Sequence, residues 1–97
     1  MKICLVKTSS MGDVIHTLPA LTDAQRVIPN LQVDWVVEEN FAEIPRWHTA
    51  VNQVIPIALR RWKKSPFSGQ TKNEWKNYRA LLQRAHYDAI IDAQGLI

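Results

Sequence analysis

The chain has 97 residues, 46% of them hydrophobic, so it is long enough for one small domain with a modest core, and no segment approaches the roughly 20 apolar residues that span a bilayer. Its single cysteine, Cys4, excludes a disulfide framework and a zinc site built from cysteines. The net charge of +3 divides into +7 over residues 58–84 and −4 over the rest, and such a cluster indicates an anionic partner: phosphate, nucleic acid, an acidic sugar or a lipid headgroup.

The first third of the chain predicts a strand, a turn and a helix. Residues 2–7 enclose the apolar run Ile3-Cys4-Leu5-Val6, as in a strand covered on both faces, and the run is too short for a signal peptide. Residues 8–13 form the turn, and residues 13–28 carry apolar side chains at helical spacing. Pro19 interrupts this pattern. We expect a short turn to end near Thr17 and a second helix to begin with Thr17 as its cap, rather than one kinked helix.

The middle of the chain predicts two more strands. Residues 33–37 form the second strand, and residues 38–40 follow it at the same edge as the first turn if the strands are parallel. Residues 41–44 form one helical turn that the next proline stops. A short third strand over 54–57 contains Pro56, which places it at a sheet edge because proline cannot donate to the ladder.

The last third begins with a basic loop at residues 58–70. Thr71 and Glu74 have the spacing of a capping box, which predicts a helix start. Residues 87–92 form the fourth strand, and residues 93–95 form the turn at its end. The helix between them is expected to bury one face, made of Trp75, Tyr78, Leu81 or Leu82, and Ala85.

The alternation of strands and helices predicts an α/β fold with a parallel, Rossmann-like sheet and right-handed crossovers. The chain stops at Ile97, with no helix to cover the fourth strand. We therefore expect an incomplete sheet, the N-terminal piece of a larger protein.

The turn after the first strand is the leading candidate site, because ligands of open α/β sheets bind at the carboxyl ends of the strands. Asp13 in this turn is either a helix N-cap or a general base that takes a proton from a substrate hydroxyl. Residues 9–12, Ser-Ser-Met-Gly, could cradle an anion on their backbone amides. They match neither a dinucleotide fingerprint nor a Walker loop.

Other polar residues are weaker candidates. His16 lies one helical turn after Asp13 and either orients its carboxylate or is a packing or surface residue. The pair Glu38-Glu39 is predicted to be a solvated strand end. Asp92 and Gln94 are better candidates, since a parallel sheet brings them to the edge that holds Asp13. The three histidines have no metal-ligand spacing.

The basic loop allows three interpretations. Basic residues around Trp62 are typical of a nucleic-acid site. Arg60 and Arg61 could instead grip the oxyanions of a phosphorylated or carboxylated sugar. The third interpretation is a mobile, solvated loop with Trp62 and Phe67 folded onto the core.

Four segments of the chain resemble bacterial heptosyltransferases, members of glycosyltransferase family 9. They are residues 7–21, 34–39, 60–62 and 87–96, and they occur in the family's order at similar spacing. The resemblance runs over essentially all 97 residues and rests on several motifs.

The resemblance implies an inverting, metal-independent glycosyltransferase of the two-domain GT-B fold, with residues 1–97 as an incomplete acceptor-side domain. Such enzymes transfer heptose from ADP-heptose to the inner 3-deoxy-octulosonic acid (Kdo) sugars of lipid A, on the cytoplasmic face of the inner membrane. No cofactor is implied. The C-terminal domain that binds ADP-heptose is absent, so this piece alone is expected to be inactive.

The resemblance also implies roles for particular residues. Asp13 is the catalytic base that deprotonates the acceptor hydroxyl. The expected substrate-binding residues are Ser9, Ser10, Met11, Gly12, Arg60, Arg61, Lys63, Lys64, Gln94 and Gly95.

The rival hypothesis is a small basic module that binds nucleic acid or another anion. The heptosyltransferase interpretation, in contrast, expects no nucleic-acid partner.

Overall fold

The fold is built on a parallel sheet. This computed structural model describes residues 1–84 and 86–93, apart from the side chains of Arg60 and Arg84. In the described part, the strand order is β3-β2-β1-β4 and every neighbouring pair is parallel. The predicted α/β class is therefore confirmed. The strands are β1 (Lys2–Val6), β2 (Gln32–Glu38), β3 (Val51–Ile57) and β4 (Ala89–Asp92), and the α-helices are α1 (Met11–Val27), α2 (Leu59–Lys64) and α3 (Gly69–Arg84).

The two central strands are buried on both faces, because successive side chains of a strand point to opposite sides of the sheet. Helix α1 covers the face that carries Leu5 and Trp35, and helices α2 and α3 cover the face that carries Cys4 and Val36. Near-continuous apolar runs in β1 and β2 follow from this double cover. None of the described helices has both the length and the apolar character needed to cross a membrane.

Helix α1 is one continuous helix, so the predicted second start at Thr17 is wrong. The Thr17 hydroxyl donates to the Asp13 carbonyl at 2.9 Å, one turn back within the helix, and Ser10 is the N-cap. Leu18 and Leu21 both pack on the core on either side of Pro19. Their packing offsets the roughly 3 kcal/mol that an interior proline costs a helix.

The connection between β2 and β3 contains two short 3₁₀ helices, Glu39–Phe41 and Ile44–Trp47. The predicted helical turn over 41–44 is therefore wrong. Pro45 lies in the first turn of the second 3₁₀ helix, where its missing N–H costs nothing, and does not end the first. Strand β3 begins earlier than expected but lies at the sheet edge, as Pro56 predicts.

The segment predicted as a basic loop begins with helix α2. Trp62 is only 7% exposed, and its burial against the sheet holds this short helix in place. Helix α3 starts at Gly69 rather than at a Thr71–Glu74 capping box. The Ser68 hydroxyl oxygen accepts the Thr71 N–H at 3.1 Å and so caps the helix, while Glu74 bonds to α2.

The buried face of α3 is partly as predicted. Tyr78, Leu81 and Leu82 pack against the core, and Ala85 lies outside the described residues. Trp75, in contrast, is 44% exposed, although its ring centroid lies 5.6 Å from those of both Trp62 and Tyr78.

Candidate functional site at the carboxyl edge of the sheet

The carboxyl ends of β1, β2 and β4 meet at one edge, as the parallel sheet predicts. Val6 pairs with Val36 on one side and with Asp92 on the other. The backbone continues this pairing beyond the strands, since the Glu38 N–H donates to the Thr8 carbonyl at 3.0 Å and the Ala93 N–H to the Val6 carbonyl at 3.0 Å. The polar ends of three strands are therefore held side by side.

Buried Trp35 fixes the start of the turn that carries Asp13. Its side chain is fully buried, and its indole N–H donates to the Lys7 carbonyl at 2.9 Å. Sequence reasoning placed Trp35 in a strand but gave it no role. A role could have been predicted from the indole N–H, because a buried tryptophan N–H needs a hydrogen-bond acceptor.

Asp13 is the third residue of α1 and not its N-cap. The Ser10 N–H donates to Asp13 Oδ2 at 3.4 Å, one half of a capping box. The Asp13 side chain is exposed. Among the described residues this amide is the one hydrogen-bond donor to the carboxylate, so most of its lone pairs remain available to a ligand.

A cavity of about 480 Å³ lies between α1 and the sheet, and Asp13 lines its polar end together with Lys7, His16 and Thr17. Lys7 Nζ donates to the Ala93 carbonyl at 3.5 Å, so it reaches across to the end of β4. His16 is exposed one turn after Asp13, and within the described structure no hydrogen bond joins the two side chains. A cation and a carboxylate therefore border the same space.

A second cavity of about 210 Å³ lies between the first turn and α2. It brings together Ser9 and Lys63, two of the predicted substrate-binding residues. Ser10, Met11 and Gly12 lie next to it around the start of α1 and are exposed. The lining residues are Thr8, Ser9, Glu38, Asn40, Phe41, Leu59 and Lys63.

Glu38 is not a solvated strand end, and that prediction is wrong. The residue is 8% exposed, and its Oε2 accepts the N–H of Leu59, the first residue of α2, at 3.2 Å. This bond ties the carboxyl end of β2 to the helix that carries the basic residues. Glu39 is exposed as predicted, yet its carboxylate bonds to Arg61.

Arg61 lies between two carboxylates. Its guanidinium contacts Glu74 at 2.9 Å and Glu39 at 3.2 Å. The hydrogen bond from Arg61, and next that from the Trp62 indole, hold the pKa of Glu74 below its ordinary value. The hydrogen bond to Glu74, and next that to Glu39, raise the pKa of Arg61 above its ordinary value. This arginine is therefore built into the protein's own ion-pair network, and its predicted grip on a ligand stays a prediction.

Lys63 and Lys64 are exposed and, in the part of the chain that the structure describes, have no carboxylate within ion-pair distance. In this they differ from Arg61, the other cation of α2 whose side chain is described. The side chain of Arg60 lies outside the described residues, as do Gln94 and Gly95.

No set of three His, Cys, Asp or Glu side chains in residues 1–84 and 86–93 could hold a metal ion together. The predicted independence from metals and cofactors stays a prediction.

The fold and this edge define the chain as part of a Rossmann-like α/β unit with its candidate site at the carboxyl ends of the strands. No family model matches the chain. Among curated proteins it is 63% identical over all 97 residues to lipopolysaccharide heptosyltransferase 1 of Escherichia coli strain K12, and 60% identical to that of Pseudomonas aeruginosa.

Solved structures give the same result. The chain matches the E. coli heptosyltransferase WaaC with ADP-2-deoxy-2-fluoro heptose, and the same protein with ADP, at a TM-score of 0.94 and 64% identity over 99% of this chain. It spans about 30% of the length of these relatives. The resemblance to heptosyltransferases is thereby confirmed for the whole length of the chain.

Proposed function

We propose that this chain is the acceptor-side part of an inverting GT-B heptosyltransferase of lipopolysaccharide core biosynthesis. The reaction transfers heptose from ADP-heptose to the inner-core Kdo sugar of lipid A. The observation that carries the proposal is the exposed Asp13 carboxylate at the ligand edge of a chain that is 63% identical to a heptosyltransferase throughout. A further domain binds ADP-heptose, so residues 1–97 alone do not turn over.

Asp13 acts as the general base in this proposal. Its carboxylate takes the proton of the acceptor hydroxyl while that oxygen attacks the anomeric carbon of the heptose. The bond from the anomeric carbon to the ADP oxygen breaks, and ADP leaves with the electron pair on the opposite face, which inverts the configuration.

The acceptor is anionic, and the proposed contacts are its chemical complement. Lys63 and Lys64, together with Arg60 and Arg61, attract the carboxylates and phosphates of Kdo and lipid A. The turn of Ser9, Ser10, Met11 and Gly12 borders the reacting hydroxyl, and Gln94 and Gly95 are further proposed contacts of the acceptor. Because this acceptor is anchored in a bilayer, the protein works at the cytoplasmic face of the inner membrane.

Replacing Asp13 with Asn in the full-length protein tests the base. The Asn side-chain oxygen can still accept the Ser10 N–H, so the helix start is preserved while the basic carboxylate is lost. We expect kcat to fall by about 10²- to 10⁴-fold with little change in acceptor affinity. Steady-state transfer assays and direct binding measure the two effects.

Asp23→Asn is the matched control, since Asp23 lies on the same helix with a side chain that is 79% exposed. Its kcat should stay close to that of the unsubstituted protein. Near-normal turnover of the Asp13→Asn variant would contradict the assignment of the base.

The rival hypothesis of a nucleic-acid module has weaker support. It depended on an aromatic side chain displayed among basic residues, on which a base can stack. Trp62 is 7% exposed and donates its indole N–H to Glu74 at 2.6 Å, so its ring belongs to the core.

A further inference from the structure

One face of α3 is basic and aromatic and does not belong to the candidate site. Its side chains recur at spacings of three and four, which places them in one stripe along the helix. All of them are exposed, and the stripe consists of Lys72, Trp75, Lys76, Arg79 and Gln83.

The stripe holds positive charge without compensation. Within the described chain none of Lys72, Lys76 and Arg79 forms an ion pair. Like charges four residues apart on a helix destabilise it, so this pattern costs stability unless an anion neutralises it. The charges therefore have the sign and the density that an anionic surface complements.

Two shallow apolar grooves flank Trp75. The larger, of about 340 Å³, runs between α2 and α3, and the smaller, of about 250 Å³, runs along α3. Among the side chains that the structure describes, none of those lining either groove is acidic. Phe67 follows Pro66 at the rim of the larger groove and is 85% exposed, although exposing such a side chain is unfavourable in water.

The larger groove also adjoins the candidate acceptor cavity. Leu59 and Lys63 line both the groove and the 210 Å³ cavity beside Ser9. An anionic lipid surface that covers the groove would therefore bring membrane-anchored molecules next to the carboxyl edge of the sheet.

We propose that the α3 surface, defined as Phe67, Lys72, Trp75, Lys76 and Arg79, docks onto the headgroup region of a bilayer rich in anionic phospholipid. This inference rests on the proposed function, which requires a membrane-anchored acceptor, and names the surface that meets the membrane. Tryptophan and phenylalanine side chains enter the interface, where amphipathic rings are favoured. The cations pair with lipid phosphates.

Vesicle binding by the full-length protein tests this surface. Vesicles of phosphatidylcholine with about one third phosphatidylglycerol should bind the protein more tightly than phosphatidylcholine alone. Lys72→Gln with Lys76→Gln should weaken binding to the anionic vesicles by about fivefold per lysine. Phe67→Ser should weaken it by about tenfold, since a side chain so exposed contributes little to folding.

The control variants remove two exposed cations, or one exposed aromatic side chain, that lie outside the α3 surface. Arg26→Gln with Arg46→Gln removes two exposed cations, and Trp47→Ser removes an aromatic side chain that is 61% exposed. Both should bind vesicles like the unsubstituted protein. Equal losses in the control and test variants would overturn the proposal, as would unchanged binding by Phe67→Ser.

Two further assays separate this proposal from its alternatives. Transfer to a water-soluble, deacylated acceptor should be unchanged in the Phe67→Ser and Lys72→Gln/Lys76→Gln variants, and transfer to acceptor in vesicles should fall. If the unsubstituted protein fails to use the soluble acceptor, the proposed function is contradicted. The vesicle-binding measurements then decide the membrane-docking proposal on their own. Oligonucleotide binding that depends on the two lysines, together with vesicle binding that does not, would identify a nucleic-acid surface and overturn the proposal.

Discussion

Asp34 is a charged residue in the middle of the sheet. Its side chain is fully buried in β2, where Oδ2 accepts the Tyr87 hydroxyl at 2.7 Å and Oδ1 accepts the Asn52 amide at 3.3 Å. A buried carboxylate is tolerated only with such partners. Burial and the Asp34 charge raise the pKa of the neighbouring Cys4 thiol to about 11, so this cysteine stays protonated and unreactive at neutral pH.

Tyr87→Phe should destabilise the fold because it deletes the shorter of these two hydrogen bonds and leaves the Asp34 carboxylate undersatisfied. We expect a loss of about 1–3 kcal/mol in the free energy of unfolding, measured by urea denaturation. Tyr78→Phe is the control, since the described structure shows no hydrogen bond from its hydroxyl, and it should cost less than about 0.5 kcal/mol. Equal losses in both variants would contradict the assigned role of the hydroxyl.

The contact between Tyr87 and Asp34 also makes the free energy of unfolding depend on pH in the alkaline range. Burial, and next the bond to Asp34, raise the pKa of Tyr87 above its ordinary value of 10.0. The folded state therefore keeps the proton that the unfolded state releases, and this stabilisation is present below pH 10 and lost as the pH rises further. The Phe variant should lack that part of the alkaline loss.

At the scale of elements, α2 depends on its neighbours. Six residues are too few for a helix that is stable alone. Arg61 links α2 to the first 3₁₀ helix and to α3, while the Trp62 ring packs edge-on against Trp75 with ring centroids 5.6 Å apart. The basic helix is thus held in place by the side chains of Arg61 and Trp62.

Glu74→Gln should loosen the link between α2 and α3 at neutral pH and remove part of the acid sensitivity. Hydrogen bonds from Arg61 and then Trp62 lower the pKa of Glu74 below its ordinary 4.5, so the folded state binds fewer protons at this group than the unfolded state. Its stabilisation is fully present above pH 4.5 and is lost as the pH falls through the lowered value. Denaturation between pH 3 and 7 measures this difference.

Asp23→Asn is a useful control, because it removes an exposed carboxylate of α1 and leaves the Arg61–Glu74 contact in place. Its acid profile should retain the step that Glu74→Gln lacks. An identical pH dependence in the unsubstituted protein and Glu74→Gln would show that this ion pair does not contribute.

The sequence predicts those elements whose signal is local. Apolar runs mark β1 and β2, and Pro56 marks an edge strand, because these patterns arise from burial and backbone donors within the segment itself. Helix α2 was missed because its basic composition is typical of solvated loops, whereas the burial of Trp62 depends on contacts from other elements. The helix break predicted at Pro19 was wrong for the same reason. Leu18 and Leu21 pack on strands that are distant in sequence, and this packing keeps α1 continuous.

The candidate site was predictable in position but not in detail. Parallel strands bring Asp13 and Asp92 to one edge in any such topology, and the register confirms that Asp92 lies level with the end of β1. The partners of Glu38 and Arg61 could not be predicted, because each pairs with a residue more than ten positions away in the chain. Long-range pairing of charged groups leaves no periodic trace in a sequence.

At the scale of the whole molecule, the sheet edge joins three segments that are distant in sequence. The turn at residues 8–13, the end of β2 and the start of α2 surround one cavity, and Lys63 links that cavity to the α3 surface. Arg61 is paired with Glu39 and Glu74, while Lys63 and Lys64 extend from α2 with no ion-pair partner among the described residues.

Lys63→Gln with Lys64→Gln in the full-length protein should therefore impair acceptor binding without impairing chemistry. We expect the KM for a soluble, anionic acceptor to rise by about tenfold, with kcat nearly unchanged, since the lysines attract acceptor charge equally in the ground and transition states. The KM of the variant should also depend less on salt, because screened Coulomb attraction is what the substitution removes. Lys72→Gln with Lys76→Gln removes the same charge from the α3 surface and should leave this KM unaltered. A KM that is insensitive to the two substitutions would contradict the proposed contact of Lys63 and Lys64 with the acceptor.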